Sequence, residues 1–122
     1  MLTDLPSGPG ASVDERIEGG ALILRVRESR LDTHTAPLLA RRLATLIRSG
    51  HRRLALEMSS VQFIDSRGLS VLVSVEQRLG IHGGFVISSP SDAVISILRL
   101  TRLAKVFRIF PDEEEALAAL NG

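Results

Sequence analysis

The segment from Leu54 to Leu79 changes its hydrophobic period midway, which restricts the chain to folds in which a buried strand feeds directly into a helix. Leu54-Ala55-Leu56-Glu57-Met58 is a short apolar run of strand length. Ser59 to Ile64 then reads as the turn that carries the chain to the sheet edge, and the pair Asp65-Ser66 ends it. Beyond that pair apolar residues recur at Leu69, Leu72, Val73 and Leu79, the spacing of one helical face rather than of a strand. Ser66 therefore falls at or beside the helix N-cap. There its oxygen can accept a backbone N–H, and the positive end of the helix dipole favours an anion. On this local pattern alone the serine is either a cap or an exposed, chemically addressable hydroxyl.

The same alternation runs along the rest of the chain. Ser12 to Ile17 reads as a strand, Gly19-Gly20 as a hairpin turn that permits positive φ, and Ala21 to Val26 as a second strand. Asp32 or Thr33 is placed to cap a helix running to about Ser49, with Leu38, Leu39, Leu43, Leu46 and Ile47 on its apolar face. The helix Ser66 to Leu79 stops at Gly80, and His82-Gly83-Gly84 turns into a strand over Phe85 to Ile87. Ser89-Pro90-Ser91 starts a helix through Leu100, and a last strand is expected near Val106 to Ile109. The acidic run Asp112 to Glu115 then opens a helix ending near Leu120, where it matches the helix dipole. Alternating strands and helices imply parallel strands joined by right-handed crossovers, whereas a two-residue Gly-Gly turn can only make an antiparallel pair. The expected fold is one α/β domain with a mixed, mostly parallel sheet, an N-terminal antiparallel edge strand and about four helices. Sites in such sheets lie beyond the carboxyl ends of the strands. Asp32 and Ser66 follow successive strands and can approach each other there.

Length and composition narrow the function. A chain of 122 residues suits a single domain, placed over residues 13–122 behind a flexible tail at residues 1–12 rich in Pro and Gly. Without cysteine there is no disulfide or thiolate metal site, and His34, His51 and His82 are too scattered for a metal-ligand pattern. A net charge of +1 and the absence of Trp and Tyr speak against direct nucleic-acid binding. The first residues lack the basic start and apolar run of a signal peptide, and no apolar stretch reaches the roughly 18 residues that a membrane helix needs. A cytoplasmic protein without membrane insertion is the expectation. No G-x-S-x-G elbow surrounds Ser66, no His is placed by sequence as its base, and no G-x-x-x-x-G-K-[ST] loop occurs, so neither an enzyme nor a cofactor is expected.

A β-hairpin, then Arg30-Leu31-Asp32-Thr33-His34-Thr35-Ala36-Pro37, then Phe63-Ile64-Asp65-Ser66-Arg67-Gly68-Leu69, with helix and strand alternating to the C-terminus, resembles the STAS domain of bacterial anti-sigma factor antagonists. The resemblance covers about Val13 to Leu120. It implies that the Ser directly after the Asp is phosphorylated by a partner anti-sigma factor that is itself a serine kinase, and that a phosphatase reverses the step. In this chain that residue is Ser66, with Asp65 beside it, Gly68 allowing close approach and Asp32 as the acidic residue of the earlier loop. The chain departs from the family pattern at Arg67, where a small or hydroxylated residue is usual. That departure keeps open an alternative, a non-switching STAS scaffold in a stress-signalling or transporter complex.

The helix after the motif also offers a docking surface. At about 100° per residue, Ser66, Ser70 and Ser74 form a stripe of small polar groups beside the apolar face, while Arg67, Val71 and Arg78 are expected to point outward. Arg67, Ser70, Val71, Ser74 and Arg78 are the expected partner-binding residues.

Overall fold

The structure, a computed structural model, describes residues 12–121. The tail expected at residues 1–12 lies outside them, apart from Ser12. Strands β1 (Val13–Glu18) and β2 (Ala21–Val26) form the N-terminal hairpin, with Gly19 and Gly20 at φ 60° and 84°. A two-residue hairpin turn needs that left-handed backbone to match the strand twist. The chain continues through β3 (Arg30–Leu31), α1 (Ala36–Arg48), β4 (Leu54–Glu57), β5 (Phe63–Ile64) and α2 (Ser66–Leu79). It ends with β6 (Phe85–Ser88), α3 (Asp92–Leu100), β7 (Ile109–Phe110) and α4 (Glu113–Asn121).

Five strands form one sheet in the order β1-β2-β4-β6-β7, antiparallel between β1 and β2 and parallel elsewhere. This is the mixed, mostly parallel sheet that the alternation predicts. Leu22 and Leu24 of β2, Leu54 and Leu56 of β4, and Phe85 and Ile87 of β6 face the main core, where Leu39 and Leu43 of α1, Leu72 and Val75 of α2, and Leu98 of α3 cover them. The alternate residues Ile23, Ala55 and Val86 meet Ala116, Leu117 and Leu120 of α4 on the opposite face. Both faces of β4 and β6 are therefore dry, which is why these strands read as continuous apolar runs rather than as alternating ones.

Three expectations are corrected. The first long helix begins at Ala36, with Thr35 at its N-cap, rather than at Asp32 or Thr33. Residues 32–35 form a turn instead, closed by the Ala36 N–H donating to the Asp32 carbonyl at 2.8 Å. The last strand is Ile109–Phe110 rather than Val106 to Ile109. After α3 the Leu103 N–H bonds the Leu98 carbonyl and the Val106 N–H bonds the Leu103 carbonyl, so Phe107 enters the core from a turn while Val106 is exposed. Finally, the connection from Ser59 to Ile64 is not all turn, because Phe63–Ile64 pairs in parallel with Arg30–Leu31 as a separate two-stranded sheet.

That small sheet fixes where α2 begins, and Gly68 lets the helix reach it. A Cβ at residue 68 would stand 2.6 Å from both the Leu31 carbonyl oxygen and Ile64 Cγ2. Alanine in place of a helical glycine ordinarily stabilises by about 1 kcal/mol. Here overpacking against a fixed carbonyl, at about 1–3 kcal/mol, outweighs it. Gly68→Ala should therefore lower the unfolding free energy by up to about 2 kcal/mol in denaturant titrations. A gain in stability would show that α2 does not press on β3 as described.

Candidate functional site

The β5 to α2 junction is built on Asp65. Its backbone N–H donates to the Leu31 carbonyl at 3.1 Å, continuing the β3–β5 pairing by one residue. The residue is still extended, at φ −99° and ψ −171°, so the helix starts immediately after it. Its Oδ1 accepts the N–H groups of Arg67 at 2.9 Å and Gly68 at 3.1 Å. The cap is thus Asp65, and Ser66 is the first helical residue beside it. Ser66 is exposed, and its hydroxyl takes no hydrogen-bond partner among the described residues. The Ser66 carbonyl accepts the Ser70 hydroxyl at 2.9 Å, one turn along the helix.

The second loop meets this junction from the side. Thr33 Oγ1 lies 3.5 Å from Asp65 Oδ2, so the loop carrying Asp32 reaches the β5–α2 junction. Asp32 itself faces inward on its own turn. Its Oδ1 accepts the N–H groups of His34 and Thr35 at 3.0 and 3.2 Å, and its Oδ2 accepts Arg30 Nε at 3.2 Å. The His34 N–H, with smaller contributions from Thr35 and Arg30, holds the Asp32 carboxyl below its ordinary range against the opposing effect of burial. The Arg30 guanidinium also sits 4.3 Å from the centre of the Phe63 ring, which ties β3 to β5 at the surface. Asp32 is a turn organiser here. Thr33, Thr35 and the Arg30–Phe63 stack are members of the site that the sequence reading missed. The Asp-x-x-Thr spacing is the signal that marks such a turn.

Beside Ser66 a shallow groove of about 290 Å³ runs between α1 and α2. Ala36, Pro37 and Ala40 form one wall, and Arg67, Ser70, Val71 and Ser74 the other. The structure thus brings together four of the five residues expected at a partner surface. Val71 does not point outward as expected: it is only 9% exposed and lines the groove, because α1 covers that side of α2. Arg78 is separated from the other four. It lies at the far end of α2 and lines a different cavity. No acidic residue occupies the first turn of α2, and Arg67 stands exposed beside Ser66, so an added negative charge would meet a helix start and a cation as well as Asp65. Among the described residues no three His, Asp or Glu side chains group as a metal site, and no helix is long and apolar enough to cross a membrane.

The Asp32 turn predicts a pH response. A carboxyl held below its ordinary pKa contributes stability that is present above the unfolded value of about 3.9 and is lost as the pH falls through the lower folded value. Asp32→Asn should therefore melt below the wild-type chain at pH 7, with the gap closing as melts are repeated toward pH 3. A gap that persists undiminished at low pH would contradict the assigned hydrogen bonds.

Residues 12–116 match the family profile described as the STAS domain. A protein of Thermotoga neapolitana described as a candidate anti-sigma factor antagonist is 31% identical over 77 residues, 62% of this chain and 68% of that protein. The crystal structure of an anti-sigma factor antagonist from Mycobacterium paratuberculosis superposes with a TM-score of 0.82 at 25% identity, covering 97% of this chain and all of that one. The Bacillus anti-sigma factor antagonist SpoIIAA shares the fold in both of its solved forms. The unphosphorylated form gives a TM-score of 0.74 at 19% identity over 91% of this chain and 97% of that one. The phosphorylated form gives 0.65 at 18% over 88% and 97%.

Proposed function

This chain belongs to the STAS domain family, and on that footing we propose that it is an anti-sigma factor antagonist whose hold on an anti-sigma factor serine kinase is released by phosphorylation of Ser66. The observation that carries this reading is the exposed, unpartnered Ser66 hydroxyl at the start of α2, beside an apolar groove and relieved of capping duty by Asp65. The unmodified protein docks on the kinase through the groove and so frees a sigma factor. The kinase then transfers a phosphoryl group from its bound ATP: the Ser66 oxygen bonds the γ-phosphorus, ADP leaves, and the hydroxyl proton passes to a base on the kinase. A phosphatase restores the serine by hydrolysis.

Magnitudes favour control of binding over control of folding. The phosphate adds about −1.5 to −2 charges. At a helix start that charge is favoured by about 0.3–1 kcal/mol, and the cap hydrogen bonds of Asp65 need not break. SpoIIAA likewise keeps this fold in both its forms. Within a docked interface the same phosphate lies near Asp65 and loses water, at a cost of several kcal/mol. Location in the cytoplasm follows for a partner of the transcription machinery.

Incubation with the cognate kinase and labelled ATP should modify the wild-type chain, and Ser66→Ala should take up no label. Equal labelling of both would remove Ser66 from the mechanism. Ser66→Asp should keep a near-native melting temperature and yet bind the kinase more weakly in calorimetry. Binding lost only together with the fold would defeat the electrostatic account.

Arg67 is assigned to recognition. It is exposed at the mouth of the groove, and arginine anchors interfaces through its rigid fork of donors. Arg67→Ala should cost at least about 1 kcal/mol of affinity for the natural partner with an almost unchanged melting temperature. Unchanged affinity would place Arg67 outside the contact.

A further inference from the structure

At the end of the molecule opposite Ser66, the residues leading into β4, β6 and β7 meet the C-terminal ends of α1, α2 and α4 around an open cavity of about 1070 Å³. Arg48, Arg52, Arg53, Arg78, Arg108 and His82 line it, and no Asp or Glu does. Arg78 lies twelve positions beyond Ser66 on α2, roughly 18 Å along the axis. The chain as a whole is nearly neutral at +1, so five of its fifteen Lys and Arg side chains around one cavity make a local excess of charge.

Part of that excess serves the fold. Helix C-termini leave carbonyls unpaired and carry a partial negative charge. Arg52 donates to the Ile47 and His51 carbonyls at 3.0 and 3.3 Å, Arg53 to Asn121 Oδ1 at 2.8 Å and to the Leu120 and Gly19 carbonyls at 3.4 and 3.3 Å, and Arg108 to the Gly83 carbonyl at 3.2 Å. Each guanidinium has five N–H donors, so these bonds leave at least two free on Arg53 and more on Arg52 and Arg108. Arg48 reaches only Thr45 Oγ1 at 3.5 Å, and Arg78 makes no hydrogen bond among the described residues. The ion pairs of the described residues involve Arg16, Arg25, Arg27, Arg30 and Arg42, and none of the five cavity arginines. The acidic neighbour is Glu76 of α2. Burial pushes its carboxyl up, Arg108 pulls it back, and one oxygen is buried without a partner. Three helix ends at about −0.5 each and a fully ionised Glu76 still leave the cavity with an excess of roughly two to three positive charges.

We infer that this cavity binds a small multivalent oxyanion of the phosphate class, an inorganic polyphosphate being the simplest example. Guanidinium forks match phosphate oxygens two at a time. Ile47, Leu79 and Leu120 in the lining exclude water from one side and strengthen those contacts. No Phe, Tyr or Trp lines the cavity, so a base would find no stacking platform and recognition is of phosphate rather than of nucleoside.

The test is titration of the full chain with sodium tripolyphosphate at about 0.15 M salt, where long-range attraction is screened, followed by calorimetry and backbone amide shifts. Saturable one-to-one binding is expected, with shifts around Arg52, His82 and Arg108 and none at Ser66. Neither Arg48 nor Arg78 holds a backbone group, so the Arg48→Gln/Arg78→Gln double variant should weaken binding at least about tenfold at an unchanged melting temperature. Arg99→Gln, on the exposed side of α3, should leave affinity as it is. Binding that does not saturate, an equal loss in Arg99→Gln, or shifts centred on Ser66 would overturn the inference. So would poly-glutamate binding as tightly as tripolyphosphate, which would make the cavity a surface for acidic protein segments. No anti-sigma factor enters the assay, so its outcome is independent of the role proposed for Ser66.

Discussion

Three pieces of structure converge on the carboxylate and backbone of Asp65. Its N–H extends the β3–β5 ladder to the Leu31 carbonyl, its Oδ1 caps α2 through the Arg67 and Gly68 N–H groups, and its Oδ2 meets Thr33 of the neighbouring loop. An N-cap of this kind is worth about 0.5–2 kcal/mol, but its larger consequence is a division of labour. Were Ser66 the cap, esterifying its oxygen would remove an acceptor from the helix start, and modification would be coupled to unfolding. With Asp65 as the cap, the Ser66 hydroxyl is free to react while the backbone beneath it is held by bonds that do not involve it. Gly68 completes the arrangement by letting the first turn of α2 press against Leu31 and Ile64.

The parallel sheet gives the molecule two chemically distinct ends. Helices α2, α3 and α4 start at the carboxyl ends of strands, where Asp65 and Ser91 act as caps and Asp92, Glu113, Glu114 and Glu115 occupy first turns. Negative charge is favoured there. The opposite end gathers helix C-termini, and arginines both cap their carbonyls and overcompensate them. The proposed phosphosite and the arginine cavity therefore follow from one topology, and their separation by the length of α2 keeps them electrostatically distinct in salt.

Features set by local sequence were legible before the structure. The Gly19-Gly20 turn, the apolar runs of β4 and β6, the period of α2 and the Ser91 start of α3 each rest on a few adjacent residues. What could not be read depends on contacts distant in sequence. Strands β3 and β5 have two residues each, too few to show a period, and they exist because they pair with each other. Asp65 and Ser66 are both good N-cap residues, and the choice between them is made by the ladder that keeps Asp65 extended. Asp32 likewise resembles a cap by type but spends its oxygens on the turn before α1. Val71 falls on the outward side of an isolated helix, and only the packing of α1 beside α2 buries it.

The claim that modification of Ser66 changes binding without changing the fold is tested most directly on the phosphorylated chain itself, prepared to homogeneity and compared with the unmodified chain by amide NMR shifts and by affinity for the anti-sigma factor. The account predicts shifts confined to the start of α2 and the Thr33 loop, an essentially unchanged melting temperature, and affinity reduced at least about 100-fold, equivalent to roughly 3 kcal/mol. Shifts spread through the β2-β4-β6 core, or affinity retained by the phosphorylated chain, would contradict it.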